Sequence, residues 1–340
     1  GFFAFRRYFI SPAVDQIFAG GTAEQNIDNF DLFKRARLSY YGRVGYNFKE
    51  KYLAEFLWRA DGSYVFPKQG RWGFFPGISA GWRVSEESFW KNNITFVNNV
   101  KVRGSWGQMG AEPYFLNTST LAEYQYLTTM GFSNFVMNDQ VMKTLQESRV
   151  ANKSFTWEVA NNSNFGIEGT LFNDKLAFEF DYFVNNRSKI LIPMTGSTPS
   201  SAGIDGKLPP VNMGKLQNKG WEFKVSYDAS HEDFRYSVSV NGGYAKNKIK
   251  FWDETPGAPE HQETTGRPFG SFLVYQFDGV FKDQADINAT KEILDYKELS
   301  TNLRPGDMKF KDYNNDGKIT SDDRVRTDKV GRPTFTGGAT

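Results

Sequence analysis

From Ser39 to Arg83 apolar and polar residues alternate almost without a break. In a first arm Tyr40, Gly42, Val44, Tyr46 and Phe48 share one face; Ser39, Arg43, Gly45 and Asn47 share the other, with Tyr41 among them. Lys49-Glu50-Lys51 turns the chain. In the second arm Tyr52, Ala54, Phe56, Trp58 and Ala60 oppose Glu55, Arg59 and Asp61, with Leu53 and Leu57 interrupting the polar side. After a loop, Trp72, Phe74, Pro76, Ile78, Ala80 and Trp82 alternate with Arg71, Gly73, Phe75, Gly77, Ser79, Gly81 and Arg83. A period of two demands β-strands with one greasy and one polar face. Strands of soluble proteins usually run to about five or six residues, whereas a tilted membrane-spanning strand needs about 9–11. These arms have the longer length. Tyr and Trp gather towards their ends, as at a lipid headgroup level, and Arg43, Glu55, Arg59 and Asp61 suit a wet lumen. The expected fold is all-β, a transmembrane antiparallel β-barrel with long extracellular loops.

Composition removes the competing classes. The mean hydropathy of -0.55 and the absence of any run near 18 apolar residues exclude a helical membrane protein. They leave a barrel open, because only alternate residues of a barrel strand meet lipid. A net charge of +2 offers nothing to a nucleic acid. With no cysteine, and only His231 and His261 as histidines, disulfides, thiolate metal sites and histidine-rich metal chemistry are excluded. Gly1-Phe2-Phe3-Ala4-Phe5 has neither the charged start nor the cleavage site of a signal peptide, so the sequence is expected to be part of a longer chain.

Along the chain, residues 1–10 read as the tail of a strand and 11–38 as loop, with Gly20-Gly21 as a breaker. Ser85 to Lys91 reads as a short capped helix. Val100, Val102, Gly104 and Trp106 mark another strand, and 108–156 a long segment without sustained alternation. Ser163–Leu171 and Leu176–Val184 form the clearest hairpin, turning at 172–175. After a Ser/Pro/Gly-rich loop at 188–214, Trp221–Tyr227 and Tyr236–Tyr244 form another. From Lys246 to Thr340 the chain reads as loop, apart from a strand candidate at Phe272–Phe281. Turns at 49–51, 172–175 and 229–233 are short, and loops at 62–70, 108–156 and 188–214 are long, which assigns periplasmic and extracellular ends respectively. By that rule 84–99 is an unusually long periplasmic link. Eight or nine strands are expected, with no return strand to close a barrel.

Trp58-Arg59-Ala60-Asp61-Gly62-Ser63, Arg71 to Pro76, Ala80 to Glu87, Lys101 to Gly110, and Trp157-Glu158 through Ile167 with Leu176 to Tyr182 form an ordered series. The series resembles the SusC/RagA family of TonB-dependent outer-membrane transporters of Bacteroidota. Asn218-Lys219-Gly220-Trp221-Glu222 and Gly306 to Asp312 extend the match, which covers about 39–335 in order. The resemblance implies that residues 1–340 are part of the barrel domain of a 22-stranded plugged barrel in the cell outer membrane. The plug, TonB box, signal peptide and final closing strands would lie outside these residues. It also implies a SusD-like surface lipoprotein as lid, a TonB complex acting on the plug, outer-membrane lipids and lipopolysaccharide around the wall, and an oligosaccharide or, less often, a peptide as ligand. No covalent chemistry, catalytic residue or required cofactor is implied.

The sharpest local motif is Asp312-Tyr313-Asn314-Asn315-Asp316-Gly317-Lys318, ending at Asp323. Side-chain oxygens of Asp312, Asn314 and Asp316, the Lys318 carbonyl and the Asp323 carboxylate match positions one, three, five, seven and twelve of a calcium loop. A structural calcium is the expectation, against an acidic surface turn as the plain alternative. Aromatic residues of the long segments, Tyr114, Phe115, Tyr124, Tyr126, Phe132, Phe135 and Trp252, suit sugar stacking, contact with the lid lipoprotein, or ordinary loop packing. Gly104, Gly107 and Gly110 have a spacing that invites a phosphate loop but follow no strand-to-helix junction. Glu55, Asp61, Glu168, Glu179 and Asp181 could pair for glycoside hydrolysis, yet their alternation along strands reads as a solvated lumen wall. An active importer is therefore expected. A glycan-degrading enzyme and a passive porin are its rivals, and oligosaccharide is favoured over peptide because sugar faces stack on rings.

Overall fold

The computed structural model describes residues 5–7, 21–26, 35–94, 96–114, 122–137, 140–199, 201, 208–231 and 234–340. The chain forms two compact units, residues 1–37 and 38–340. In the first, β1 (Phe5–Arg7) pairs antiparallel with β2 (Gly21–Asn26), so a pairing partner lies within the stretch expected to be loop.

The second unit is built from β3 (Arg37–Phe48), β4 (Tyr52–Ser63), β5 (Trp72–Arg83), β6 (Val97–Ala111), β9 (Glu158–Leu171), β10 (Leu176–Ile192), β11 (Val211–His231), β12 (Phe234–Phe251) and β17 (Phe335–Ala339). Their order in a single sheet is β17-β12-β11-β10-β9-β6-β5-β4-β3. Each strand therefore lies beside its neighbour in the chain, apart from insertions. The sheet is open, with β17 and β3 at its edges; β17 lies in a stretch that the sequence reads as loop, and no strand closes a barrel among the described residues.

Register shows why the alternation matters. Tyr52 lies opposite Trp82, Phe56 opposite Ile78 and Trp58 opposite Pro76; Ile78 then lies opposite Trp106, Tyr182 opposite Trp221, and Trp221 opposite Tyr244. One face is thus continuous in aromatic and branched residues, and most of them are exposed. Close approach tightens it: an ideal Cβ on Gly42 would stand 2.7 Å from Trp58 Nε1, so only glycine lets that indole lie across β3. Gly104, Gly107 and Gly110 all lie within β6, which rules out a phosphate loop.

One end of the sheet is closed by short turns. Lys49 and Glu50 take left-handed backbone (φ 54° and 57°), and the Glu50 amide donates to Asn47 Oδ1 at 3.0 Å. Phe172, Asn173 and Asp174 do the same between β9 and β10, with Asn98 Oδ1 accepting from the Asn173 amide at 2.8 Å. The longer link between β5 and β6 holds α1 (Ser88–Lys91), a single turn without a side-chain cap. Glu87 fixes it, accepting from Lys51 Nζ (3.0 Å), Tyr52 Oη (2.7 Å) and Trp82 Nε1 (3.2 Å). These hydrogen bonds, Tyr52 first, hold the Glu87 carboxyl below its ordinary pKa.

The other end carries the long connections. Between β6 and β9 stands a separate hairpin of β7 (Thr129–Met137) and β8 (Gln140–Arg149), where the sequence showed no sustained alternation. Val65, Phe66, Phe75, Ala122, Phe155, Trp157 and Leu191 bury one another there, drawn from three connections and the strand ends beneath them. Phe66 and Trp157 ring centroids are 4.6 Å apart. The connection from β12 to β17 spans 252–334 and is a folded unit. It contains β13 (Leu273–Tyr275), β14 (Phe277–Val280), α2 (Gln284–Ile293), β15 (Met308–Phe310) and β16 (Arg324–Arg326), with β13 paired to β16 and β14 to β15. Asp283 caps α2 by accepting the Asp286 amide at 2.8 Å. Phe281, Ile287, Tyr296, Leu303 and Ile319 form its core. The strand candidate at 272–281 is broken into β13 and β14, and β12 continues past Lys246 to Phe251.

Candidate functional site

The polar face of the sheet is electrostatically closed at its middle. Arg103 on β6 reaches across β9 to three carboxylates: Glu168 (3.1 Å), Glu179 (2.7 Å) and Asp181 (2.7 Å). Lys101 adds a contact to Glu168 at 2.9 Å. Gly166 makes that reach sterically feasible, because a Cβ there would stand 2.5 Å from Asp181 Oδ1 and 2.9 Å from Arg103 Cζ. Glu55 pairs with Arg43, and Asp61 with Arg59. The five carboxylates considered for acid–base work thus each face a cation, the arrangement of a neutralised wall.

Towards the long-loop end the same face changes character. Asn162 lies opposite Asn185, Asn185 opposite Asn218, and Asn218 opposite Asn247, a row of four asparagines across β9, β10, β11 and β12. A cavity of about 470 Å³ opens over this row, lined also by Phe269 and by the arginines Arg187 and Arg332. The Phe269 amide donates to Asn247 Oδ1 at 2.6 Å and holds that loop over the wall. An amide side chain offers both donors and an acceptor, so the row can meet an uncharged ligand rich in hydroxyl or amide groups. Alternation along β9 and β10 puts Asn162 and Asn185 on the polar face. The row itself comes from register between strands up to 85 residues apart, which no local pattern carries.

The aromatic candidates separate into three places. Tyr124 and Tyr126 sit together (ring centroids 6.4 Å apart), Tyr124 beside Tyr64 and Tyr126 against the buried cluster of the loop ends. Phe132 and Phe135 lie on β7, opposite Leu145 and Met142. Trp252 packs 6.1 Å from Phe269, at the margin of the asparagine cavity. Tyr114 is exposed, and Phe115 lies outside the described residues.

In the 252–334 unit the acidic motif forms a compact turn. Asp312 accepts from the amides of Asp316 (3.2 Å) and Gly317 (2.8 Å), and Asp316 from that of Lys318 (2.9 Å). Asp323 is fully buried; its carboxylate accepts from the amides of Tyr313 (2.8 Å), Asn314 (3.4 Å) and Thr320 (2.8 Å). Among the described residues no three His, Cys, Asp or Glu side chains converge as a metal cluster. Asp312, Asn314 and Asp316 are close enough in the turn to act together, whereas Asp323 serves the loop's own amides.

Comparison with known proteins places these features. The family described as TonB dependent receptor-like, beta-barrel, matches residues 3–331. TonB-dependent receptor P26 of Formosa agariphila is 29% identical over 298 residues, covering 84% of this chain and 28% of the relative. TonB-dependent receptor SusC of Bacteroides thetaiotaomicron is 26% identical over 213 residues, 62% of this chain and 20% of the relative. The structure of the RagAB peptide transporter superposes with a TM-score of 0.64 at 18% identity, over 97% of this chain and 34% of that one, a likeness of fold. The chain therefore spans about a third or less of the length of these relatives. With long antiparallel strands, an apolar outer face and a charged inner one, the chain belongs to the TonB-dependent receptor β-barrel family of outer-membrane proteins.

Proposed function

We propose that this chain is the wall segment of an outer-membrane importer that takes up oligosaccharides, driven by TonB and working with a SusD-like surface lipoprotein. The observation that carries the substrate reading is the asparagine row Asn162–Asn185–Asn218–Asn247, with Phe269 over it. Uncharged amides beside an aromatic ring are the means by which proteins hold neutral polyhydroxyl rings. Trp252, next to Phe269, supports the same reading.

The test uses the full-length protein purified gently from outer membranes. Native mass spectrometry is expected to show a bound surface lipoprotein and a saccharide mass. An Asn185→Ala/Asn218→Ala variant is expected to lose about tenfold in saccharide affinity, each lost hydrogen bond costing about 0.5–1.5 kcal/mol. A bound peptide, with no saccharide binding in solution, would replace oligosaccharide by peptide import. A barrel that never retains a partner would point to a passive porin.

We also propose that Asp312, Asn314, Asp316 and the Lys318 carbonyl hold a structural calcium, whose oxygen ligands suit that cation. Asp323 would then brace the loop through the amides it already accepts. Millimolar calcium should protect the 252–334 unit from proteolysis, and Asp316→Ala should abolish that protection. Equal cleavage of both forms with and without calcium would leave an acidic turn.

A further inference from the structure

The outward face of the nine-stranded sheet is almost free of charge. In register with Tyr52, Ile78, Trp106, Phe165, Tyr182, Val225 and Val240, it presents aromatic, aliphatic and small residues from β3 to β17. Among the described, registered residues of this face the charged side chains are all lysines on two adjacent strands. They are Lys215 and Lys219 on β11 and Lys246 and Lys248 on β12, with Lys250 beside them at the irregularity where β12 shifts register. All five are exposed, and none forms an ion pair among the described residues.

Their placement is specific in two directions. Along the strands they follow directly on an aromatic belt: Trp221 and Tyr244 stack at 6.2 Å, and Trp221 lies 6.3 Å from Phe335. Such a belt marks the boundary between hydrocarbon and headgroup. The next outward residue lies about 6.6 Å further along the strand, and here the direction is towards the long-loop end. Lys219 and Lys246 therefore stand at the headgroup level of the outer leaflet, and Lys248 and Lys250 follow further out along the same strand. Across the strands Lys219 lies directly opposite Lys246, and Lys248 faces Gln217. Like charges directly opposite one another destabilise a strand pair. On the inner face that cost is avoided, because Lys101 and Arg103 share Glu168. Among the described residues of the outer face no carboxylate is in register to do the same, which leaves these lysines open to an anion from outside the chain.

We propose that Lys219, Lys246, Lys248 and Lys250 form a binding site for the phosphate groups of outer-leaflet glycolipid headgroups. Long lysine stems lie along apolar wall while their ammonium groups stay in the polar layer, and ammonium acts as a point charge for phosphate. The site fixes the height of the wall in the membrane on the β11–β12 side. It rests on the outer-membrane placement of the barrel and is independent of what the barrel imports.

The test is lipid retention by the detergent-solubilised full-length protein, read by native mass spectrometry and melting temperature. A phosphorylated outer-leaflet glycolipid, the same glycolipid with its phosphates removed, and inorganic phosphate are compared as probes. The wild type is expected to bind the phosphorylated form about tenfold or more tightly than the dephosphorylated one, and less tightly as salt rises. Replacing all four lysines by Gln is expected to remove the difference, and replacing them by Arg to retain it. Resistance to SDS until heating reports folding of each variant, and a Lys246→Gln/Lys248→Gln double variant provides a milder form expected to show a partial loss. Unchanged selectivity in the folded Gln variants would overturn the site. Displacement of the glycolipid by equimolar inorganic phosphate would overturn the lipid assignment. Substrate binding measured in parallel separates the two readings, since a wild type that selects the phosphorylated lipid but takes no saccharide or peptide refutes only the import proposal.

Discussion

In the nine-stranded wall Ile78 is 56% exposed and Val240 44%, whereas in the 252–334 unit Ile287 and Ile319 are sealed at 0%. The same residue types serve two solvents. The 252–334 unit gathers its apolar side chains around Phe281 because water surrounds it. The wall turns the same chemistry outward because its solvent on that side is lipid, and apart from the lysines at the long-loop end of β11 and β12 keeps its charges for the inner face. A conventional core is therefore expected to carry the stability of the loop unit, and backbone pairing with lipid contact that of the wall.

The largest separation between the two should come from Phe281→Ala. Removing a fully buried ring typically costs about 3–5 kcal/mol, enough to unfold the 252–334 unit and open it to protease while the wall keeps its SDS resistance. Joint loss of both would mean that the two regions fold as one. A smaller effect, about 2–4 kcal/mol at mid-membrane depth, is expected for Val240→Arg on the lipid side. The adjacent Asn241→Arg, pointing to the lumen, should be close to neutral in the same refolding assay. Similar losses for both would break the assignment of faces.

Arg103→Ala should cost about 1–2 kcal/mol, because Glu168, Glu179 and Asp181 are left as neighbouring carboxylates in a half-exposed setting. Chemical denaturation read with and without 1 M salt checks it, and salt should shrink the difference. The smallest effect concerns pH and the loop unit. The hydrogen bond from Lys309, aided by the Lys282 amide, holds the Asp286 carboxyl below its ordinary pKa. A depressed folded pKa contributes stability that is present above the unfolded pKa and is lost as pH falls through the folded one. Protection of 252–334 from an acid-active protease should thus weaken on acidification below the ordinary carboxylate range, and Asp286→Asn should flatten that profile.

Much of the wall was legible in the chain because a strand exposed to two different solvents writes its period into the sequence. Tyr40 to Phe48, Tyr52 to Ala60 and Leu176 to Val184 each read directly as strands, and their alternation separated the lipid side from the lumen. The loop unit was illegible for the converse reason. Its strands have three or four residues, too short to show a period, and its core joins Phe281, Ile287 and Ile319 from across 39 positions. β17 was missed because Phe335-Thr336-Gly337-Gly338-Ala339 has glycine where a side chain would mark a face. The acidic motif was visible as spacing, but the direction of the Asp323 carboxylate depends on which amides surround it.

Sequence alone determined that this chain forms long β-strands with a greasy and a wet side, since each local choice of residue agrees with a period of two. Only the tertiary structure decided what the wet and greasy sides can hold. The asparagine row, the Arg103 cluster and the outward lysines all arise from cross-strand register. Register is set by turns and pairing along the whole sheet, so residues far apart in the chain become neighbours.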